Sequence, residues 1–266
     1  MSAAQRRLVH AAPRPEQGFV SRRVRVDGHD LHIRTRNGAA LPWVLLHGLA
    51  VSHRYLMPTA AALPGQVHVP DLPGFGLSAR PPAVLDTEEH AAVVARWMDQ
   101  DGLSRAAVLG NSFGCQVAVE LAVRRPDLVA ALILVGPTTD PAAASIPGQI
   151  GRWMRDLRRE DERQARMIAA DVRDAGLRRV YVTLRHSVRH RIERRLPLLR
   201  APVLLLRGEH DPVAPQPWIV RAAELTPSAE TAVVPRAGHN AITTAGTRVA
   251  ALAGAFLHRA ALPPPT

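Results

Sequence analysis

Residues 19 to 35, FVSRRVRVDGHDLHIRT, alternate apolar and polar positions on either side of Asp27-Gly28. Alternation lays one face of a strand on a core, and an Asp-Gly pair suits a tight hairpin turn, so two antiparallel strands are expected. The later apolar segments do not alternate. WVLLHG (43–48), VHVPDLPGFG (67–76), RAAVLG (105–110), LVAALILVGP (128–137) and APVLLLRGEHD (201–211) each hold a short unbroken apolar run. Runs of this kind are expected of strands buried on both faces, with TAVVP (231–235) as a last short strand.

Helical spacing fills the gaps. It runs from Thr87 to about Asp101, with Thr87 at the N-cap and Glu88 and Glu89 in the first turn. It returns from Phe113 to Arg125, stopping before Pro126, and again over 241–259, ahead of a frayed LPPPT tail. Strands alternating with helices predict an α/β fold, a mostly parallel sheet covered on both faces. Residues 138–201 break this rhythm. They hold no buried strand, only arginine-rich stretches of helical period such as IGRWMRDLRREDERQARMIAADVRDAG. An insertion of this size predicts a helical cap over the edge where the strands end, leaving 1–137 and 202–266 as the core. The chain has no internal repeat.

Composition changes this picture little. A 47% hydrophobic and 21% charged content belongs to globular proteins. The net charge of +11 is unusual, yet all 34 basic residues are Arg and none is Lys, which fits the coding bias of a GC-rich genome better than selection for polyanions. Much of the excess lies in the insertion, with 15 Arg against 7 acidic residues between 150 and 200. Cys115 stands alone, so no intrachain disulfide forms. The first residues lack the apolar centre of a secretion signal and no later run is long enough to span a bilayer. A cytoplasmic monomer or homodimer without stable membrane insertion is expected.

The chemistry centres on Gly110-Asn111-Ser112-Phe113-Gly114, a G-x-S-x-G sequence at a strand-to-helix junction. Two glycines around one serine let helix and strand pass close to a strained turn that exposes the hydroxyl. A serine hydroxyl needs a base, and the base needs an orienting acid. His239, in PRAGHN between the last strand and the final helix, can reach the sheet edge. Asp211, in GEHDPVAP, follows the strand after the insertion, and Asp140 is the alternative acid. His47 and Asp71 are expected to shape loops, Ser78 to cap a turn, His210 to be solvated and Cys115 to pack in the core. No cluster has metal-ligand spacing and no phosphate-cradling loop is present, so no metal and no cofactor are expected.

Four stretches in order, HGLA after a buried strand, DLPGFGLS, GNSFG, and GEHDPVAP followed by AGHN, resemble the α/β-hydrolase fold superfamily. The likeness runs from about Phe19 to Leu257, and is to the capped branch with serine esterases, lactonases and carbon–carbon bond hydrolases. It implies that Ser112 attacks an acyl carbonyl, His239 relays the proton and Asp211 fixes the imidazole tautomer. The backbone N–H groups of Phe113 and Leu49 would hold the oxyanion. A serine nucleophile sets the chain apart from the epoxide hydrolases and haloalkane dehalogenases of this architecture, which use aspartate. Asn111 resembles the carbon–carbon bond hydrolases of ring-fission diketo acids. Cys115, the glycine-poor HGLAVS and the lack of tryptophan after Asn240 depart from them.

In the insertion, Trp153, Met154, Leu157, Met167 and Ile168 are expected to line a hydrophobic pocket. The arginines face water with Glu160, Asp161 and Glu162 as local partners, or else clamp a substrate carboxylate. The resulting expectation is a serine hydrolase for a small hydrophobic ester-like substrate, a carboxylic ester or lactone, with an anionic end left open. A non-hydrolytic ligand receptor of the same fold is a second class. Nucleic-acid or anionic-membrane binding by the basic insertion is a third, disfavoured by its interspersed acids and lack of clustered aromatics.

Overall fold

The computed structural model of the protein describes residues 18–157 and 162–260. The expected tail and the expected partners Glu160 and Asp161 lie outside them. The alternating segment forms β1 (Val20–Val26) and β2 (His29–Arg36), paired antiparallel through the Asp27-Gly28 turn. There follow β3 (Trp43–Leu46), α1 (His53–Ala62), β4 (Val67–Pro70), α2 (Thr87–Gln100), β5 (Ala106–Asn111), α3 (Phe113–Arg124) and β6 (Val129–Val135). The insertion is helical: α4 (Ile146–Leu157), α5 (Glu162–Ala175), α6 (Leu177–Arg189) and α7 (Ile192–Arg195). The chain then returns to the sheet with β7 (Val203–Gly208), α8 (Gln216–Leu225), β8 (Ala229–Val234), α9 (Ala241–Thr244) and α10 (Gly246–Arg259).

The eight strands make one sheet in the order β1-β2-β4-β3-β5-β6-β7-β8. β2 meets β4 antiparallel, and every later pairing is parallel. The unbroken apolar runs lie at its centre for a physical reason. Val44 and Leu46 of β3, with Val108, Leu132 and Leu205, face α2, α3 and α8 around Trp97 and Trp218. Their neighbours Leu45, Leu109, Ile133 and Leu204 face α1 and α10 around Leu56 and Phe256. A strand covered on both sides must be apolar at every position.

Three local expectations change. Asp86, not Thr87, caps α2: its carboxylate accepts the Glu89 N–H at 2.9 Å while Glu89 reaches back to the Asp86 N–H at 2.8 Å, a full capping box. Helices α1 and α8 were not foreseen, since α1 carries Pro58 and α8 opens on a proline-rich stretch. The last helix is two, interrupted at Ala245 (φ −129°, ψ 34°), after which Gly246 passes against the backbone of Pro58, where a Cβ would come within 2.6 Å.

Candidate active site

β5 ends at Asn111 and α3 begins at Phe113, so Ser112 alone makes the turn, with φ 54° and ψ −117°. Such a backbone costs a non-glycine residue about 1–3 kcal/mol and persists only where the surroundings fix it. Here both flanking glycines are sterically required. A Cβ on Gly110 would lie 2.5 Å from the Gly114 carbonyl oxygen and 2.7 Å from the Cys115 Cα, and one on Gly114 would run into the Leu46 carbonyl. The Ser112 N–H donates to the Val135 carbonyl at 3.0 Å, tying the turn to β6. Phe113, as the first residue of α3, has an N–H without an intrahelical acceptor.

His239 and Asp211 come from loops that follow β8 and β7. His239 Nδ1 is 2.9 Å from Asp211 Oδ2, and both residues are buried. Asp211 Oδ1 accepts the N–H groups of Val213 and Ala214 at 2.8 and 2.9 Å, while Arg207 donates to the Asp211 and Ala214 carbonyls at 3.1 Å. Burial pushes the Asp211 carboxyl up, but His239 and the two backbone N–H groups outweigh it and hold the pKa below the usual value. The alternative acid, Asp140, is occupied elsewhere: it accepts from Ala142 N–H at 2.9 Å and from Arg152 at 2.6 Å.

The loop after β3 is pinned by His47. Burial pushes its pKa down, with Asp71 opposing. Its Nε2 accepts the Leu72 N–H at 2.9 Å, so the proton is on Nδ1, which donates to the Gly48 carbonyl at 2.8 Å. That bond seats Gly48 against Ser112 and Leu49 beside the cavity. Asp71 holds its own loop by accepting the Leu77 N–H at 2.9 Å and reaches α1 through the His53 N–H at 2.7 Å. Ser78, expected to cap a turn, instead bridges β2 and this loop, accepting the His32 N–H and donating to the Asp71 carbonyl. His32, His53 and Asp71 also gather donor atoms within 4.8 Å of one another, which their spacing in the sequence did not reveal. Hydrogen bonds of 2.9 Å from each Nδ1 to the Asp71 carboxylate account for this cluster as a staple. His210 is exposed, and Cys115 is buried with its Sγ donating to the Gly110 carbonyl at 3.2 Å.

Ser112 and His239 open on one cavity of about 360 Å³, within the usual range for a small-molecule site. Core loops supply its floor, and α4, α5 and α6 its roof. Of the predicted lining, Trp153 and Ile168 are present. Met154 is not: it points outward and is 58% exposed. Leu157 and Met167 do not line the cavity either and pack against the apolar layer beneath. The missed lining is on α6: Val180 and Leu184, with Leu177 and Tyr181, more than half exposed, at the cavity's open rim. Their i, i+3, i+4, i+7 spacing was a legible helical stripe, hidden by the arginines between them. No Arg or Lys is among the described lining residues, and several polar ones are already engaged: Asn111 donates to the Val135 carbonyl, Gln149 to the Ala143 carbonyl, and Tyr55 to Asn240.

Among the described residues no helix is long and apolar enough to cross a membrane. In sequence, residues 43–252 match the profile of the "Alpha/beta hydrolase family". A 2-hydroxymuconate semialdehyde hydrolase of Pseudomonas sp. (strain CF600) is 32% identical over 134 residues, 46% of this chain and 44% of the relative. Lipase LipV of Mycobacterium tuberculosis is 36% identical over 111 residues, 41% of this chain and 42% of the relative. The matches thus span less than half the length of these relatives. In three dimensions the chain is similar to a thermophilic esterase from Thermogutta terrifontis, with a TM-score of 0.75, 25% identity, and coverage of 90% of this chain and 99% of the esterase. With most of the sheet and all of the Ser112, Asp211 and His239 positions inside the matched segment, the chain belongs to the alpha/beta hydrolase family.

Proposed function

We propose that the protein is a serine hydrolase that cleaves a neutral, hydrophobic carboxylic ester or lactone through an acyl-enzyme. The observation that carries this reading is the strained Ser112 turn opening on the same cavity as the His239–Asp211 pair. With Nδ1 facing Asp211, Nε2 is the nitrogen of His239 that takes the Ser112 proton in this reading. Ser112 Oγ attacks the carbonyl carbon, and His239 takes the proton and passes it to the leaving alcohol. A water, deprotonated by the same nitrogen, then releases the acid and restores the serine. The N–H groups of Phe113 and Leu49 stabilise the oxyanion, each worth about 3–4 kcal/mol of barrier. The inserted helices act as the cap that excludes water from this chemistry.

A lining without arginine, lysine or carboxylate among the described residues supports one substrate class over the other. A ring-fission diketo acid brings a carboxylate, and an unpaired carboxylate loses several kcal/mol on leaving water. An alkyl chain instead gains about 0.8 kcal/mol for each buried methylene. The esterase and lipase likenesses agree with the second case. The test is hydrolysis of p-nitrophenyl esters of increasing acyl length by the parent, Ser112→Ala and His239→Ala. A loss on the order of 10³-fold or more in both variants is expected. Parent-like rates in Ser112→Ala would overturn the reading.

A further inference from the structure

The His239 loop is held from above as well as from the sheet. Asp156, in the last turn of α4, is 1% exposed, and its Oδ1 accepts the backbone N–H of His239 at 2.9 Å. The preceding residue makes room for this contact. A Cβ placed on Gly238 would sit 2.7 Å from the same Oδ1, and all three of its nearest neighbours would be atoms of Asp156. A second inserted helix grips the opposite loop in a similar way. Asp171 of α5, also buried, accepts from Ser52 Oγ at 2.8 Å and from Arg54 at 3.0 Å, just beyond the Gly48-Leu49 segment.

We propose that Asp156 is a positioning residue for the proposed hydrolysis: by anchoring the His239 backbone to α4, it makes a productive imidazole depend on seated inserted helices. The physical basis is leverage. The sheet side fixes the ring of His239 through Asp211 Oδ2, but a ring is aimed only if the backbone carrying it is also fixed. Because the carboxyl and the N–H are both buried, either one left unpaired would carry a desolvation penalty, which makes their hydrogen bond a firm anchor. Misplacing a catalytic group by about 1 Å costs on the order of 10²-fold in rate. Asp156 touches no reacting atom in this scheme. It acts through His239, so its loss lowers turnover and leaves the apolar cavity, and hence ester binding, largely intact.

This inference rests on the serine-hydrolase reading, and the experiment separates the two. The parent, Asp156→Ala, Gly238→Ala and the double variant are assayed with a p-nitrophenyl ester, each rate divided by the concentration of sites titrated with a fluorophosphonate. Asp156→Ala is expected to lower kcat per titrated site about 10- to 100-fold with KM within about 3-fold. Gly238→Ala, which forces the carboxylate away, is expected to lower it similarly, yet to add less than about 3-fold in the Asp156→Ala background. A merely stabilising Asp156 would reduce the number of titrated sites and leave kcat per site at the parent value, which would overturn the proposal. The far-downfield Nδ1 proton resonance of His239 gives a readout independent of turnover. It is expected to shift or broaden in both single variants, and an unchanged resonance in both would also overturn the positioning role. Ser112→Ala, run alongside, tests the serine-hydrolase reading by itself.

Discussion

Asp211→Asn isolates the tautomer control proposed for this site. The asparagine oxygen inherits the two backbone N–H groups of Val213 and Ala214, now accepted at 2.8 and 2.9 Å. Its NH₂ must then face His239 Nδ1 and force that nitrogen to accept, which places the imidazole proton on Nε2, where it cannot take a proton from Ser112. Flipping the amide to escape would abandon two hydrogen bonds of about 1 kcal/mol each and set donor against donor, a further 1–3 kcal/mol. At 1.4 kcal/mol per tenfold, the productive arrangement is then populated at roughly 1% or less. Loss of the anion that stabilises the imidazolium removes about another 1.5–3 kcal/mol, so kcat should fall about 10³-fold or more. The fold should survive, because the isosteric amide keeps both loop hydrogen bonds. The assay is ester turnover at pH 8 with thermal unfolding measured on the same sample. An Asn variant within tenfold of the parent, equally stable, would refute the assignment of Asp211 and its orientation.

Other consequences follow from the same geometry. Glu120 of α3 is buried, bonded to His190 and Arg195 at 2.8 Å; burial pushes its pKa up, but these partners prevail and hold it near 2 against an ordinary 4.5. A depressed carboxylate pKa stabilises the fold fully above pH 4.5 and loses that contribution as pH falls toward 2. Glu120→Gln should therefore cost about 1–3 kcal/mol in urea unfolding at pH 7 and a shrinking amount below pH 4.5, and a pH-independent difference would contradict the network. Trp153→Ala should lengthen the preferred acyl chain in the p-nitrophenyl ester series, whereas Met154→Ala, outside the cavity, should leave the profile as it is. Cys115, whose thiol burial pushes well above its ordinary pKa, should react with a thiol reagent only at the rate of unfolding; fast native labelling would contradict its packing.

The sheet and the proposed catalytic residues were legible in the sequence because each is dictated locally. Unbroken apolar runs permit little but doubly covered strands, and Gly-Asn-Ser-Phe-Gly states in five residues the clearance that a serine turn between β5 and α3 demands. What stayed hidden depends on partners distant in sequence. The sequence favoured Asp211 over Asp140 as the partner of His239, but not the contacts that keep them apart: Arg152 occupies Asp140, and Arg207 holds the Asp211 loop. The roof misled because two stripes compete on α4: Trp153 faces the cavity while its neighbour Met154 faces out, a difference of one residue on a helix whose docking angle sequence cannot supply. Asp156 carried no signal, since its partner is a backbone N–H 83 residues away.

Some arginines of the insertion have a structural use, and their placement bears on the proposed substrate. Arginines of the insertion are used to fasten it down: Arg152 to Asp140 and the Val213 carbonyl, Arg179 to the Pro81 carbonyl and packed on Gly74, Arg195 to Glu120. Others, such as Arg155, Arg178 and Arg185, lie on the exposed face. Their long apolar stems cover helix surface while the heads stay solvated or paired, so a strongly basic segment encloses a cavity with no arginine or lysine among its described lining. Net charge therefore describes the outside of this insertion, and the inside is governed by Trp153, Val180 and Leu184, with Leu177 exposed at the cavity mouth. On the proposed reading, an anionic substrate drawn to the outer face would shed its water on entering a cavity that offers no arginine or lysine among its described lining, whereas an apolar ester gains from every methylene it buries.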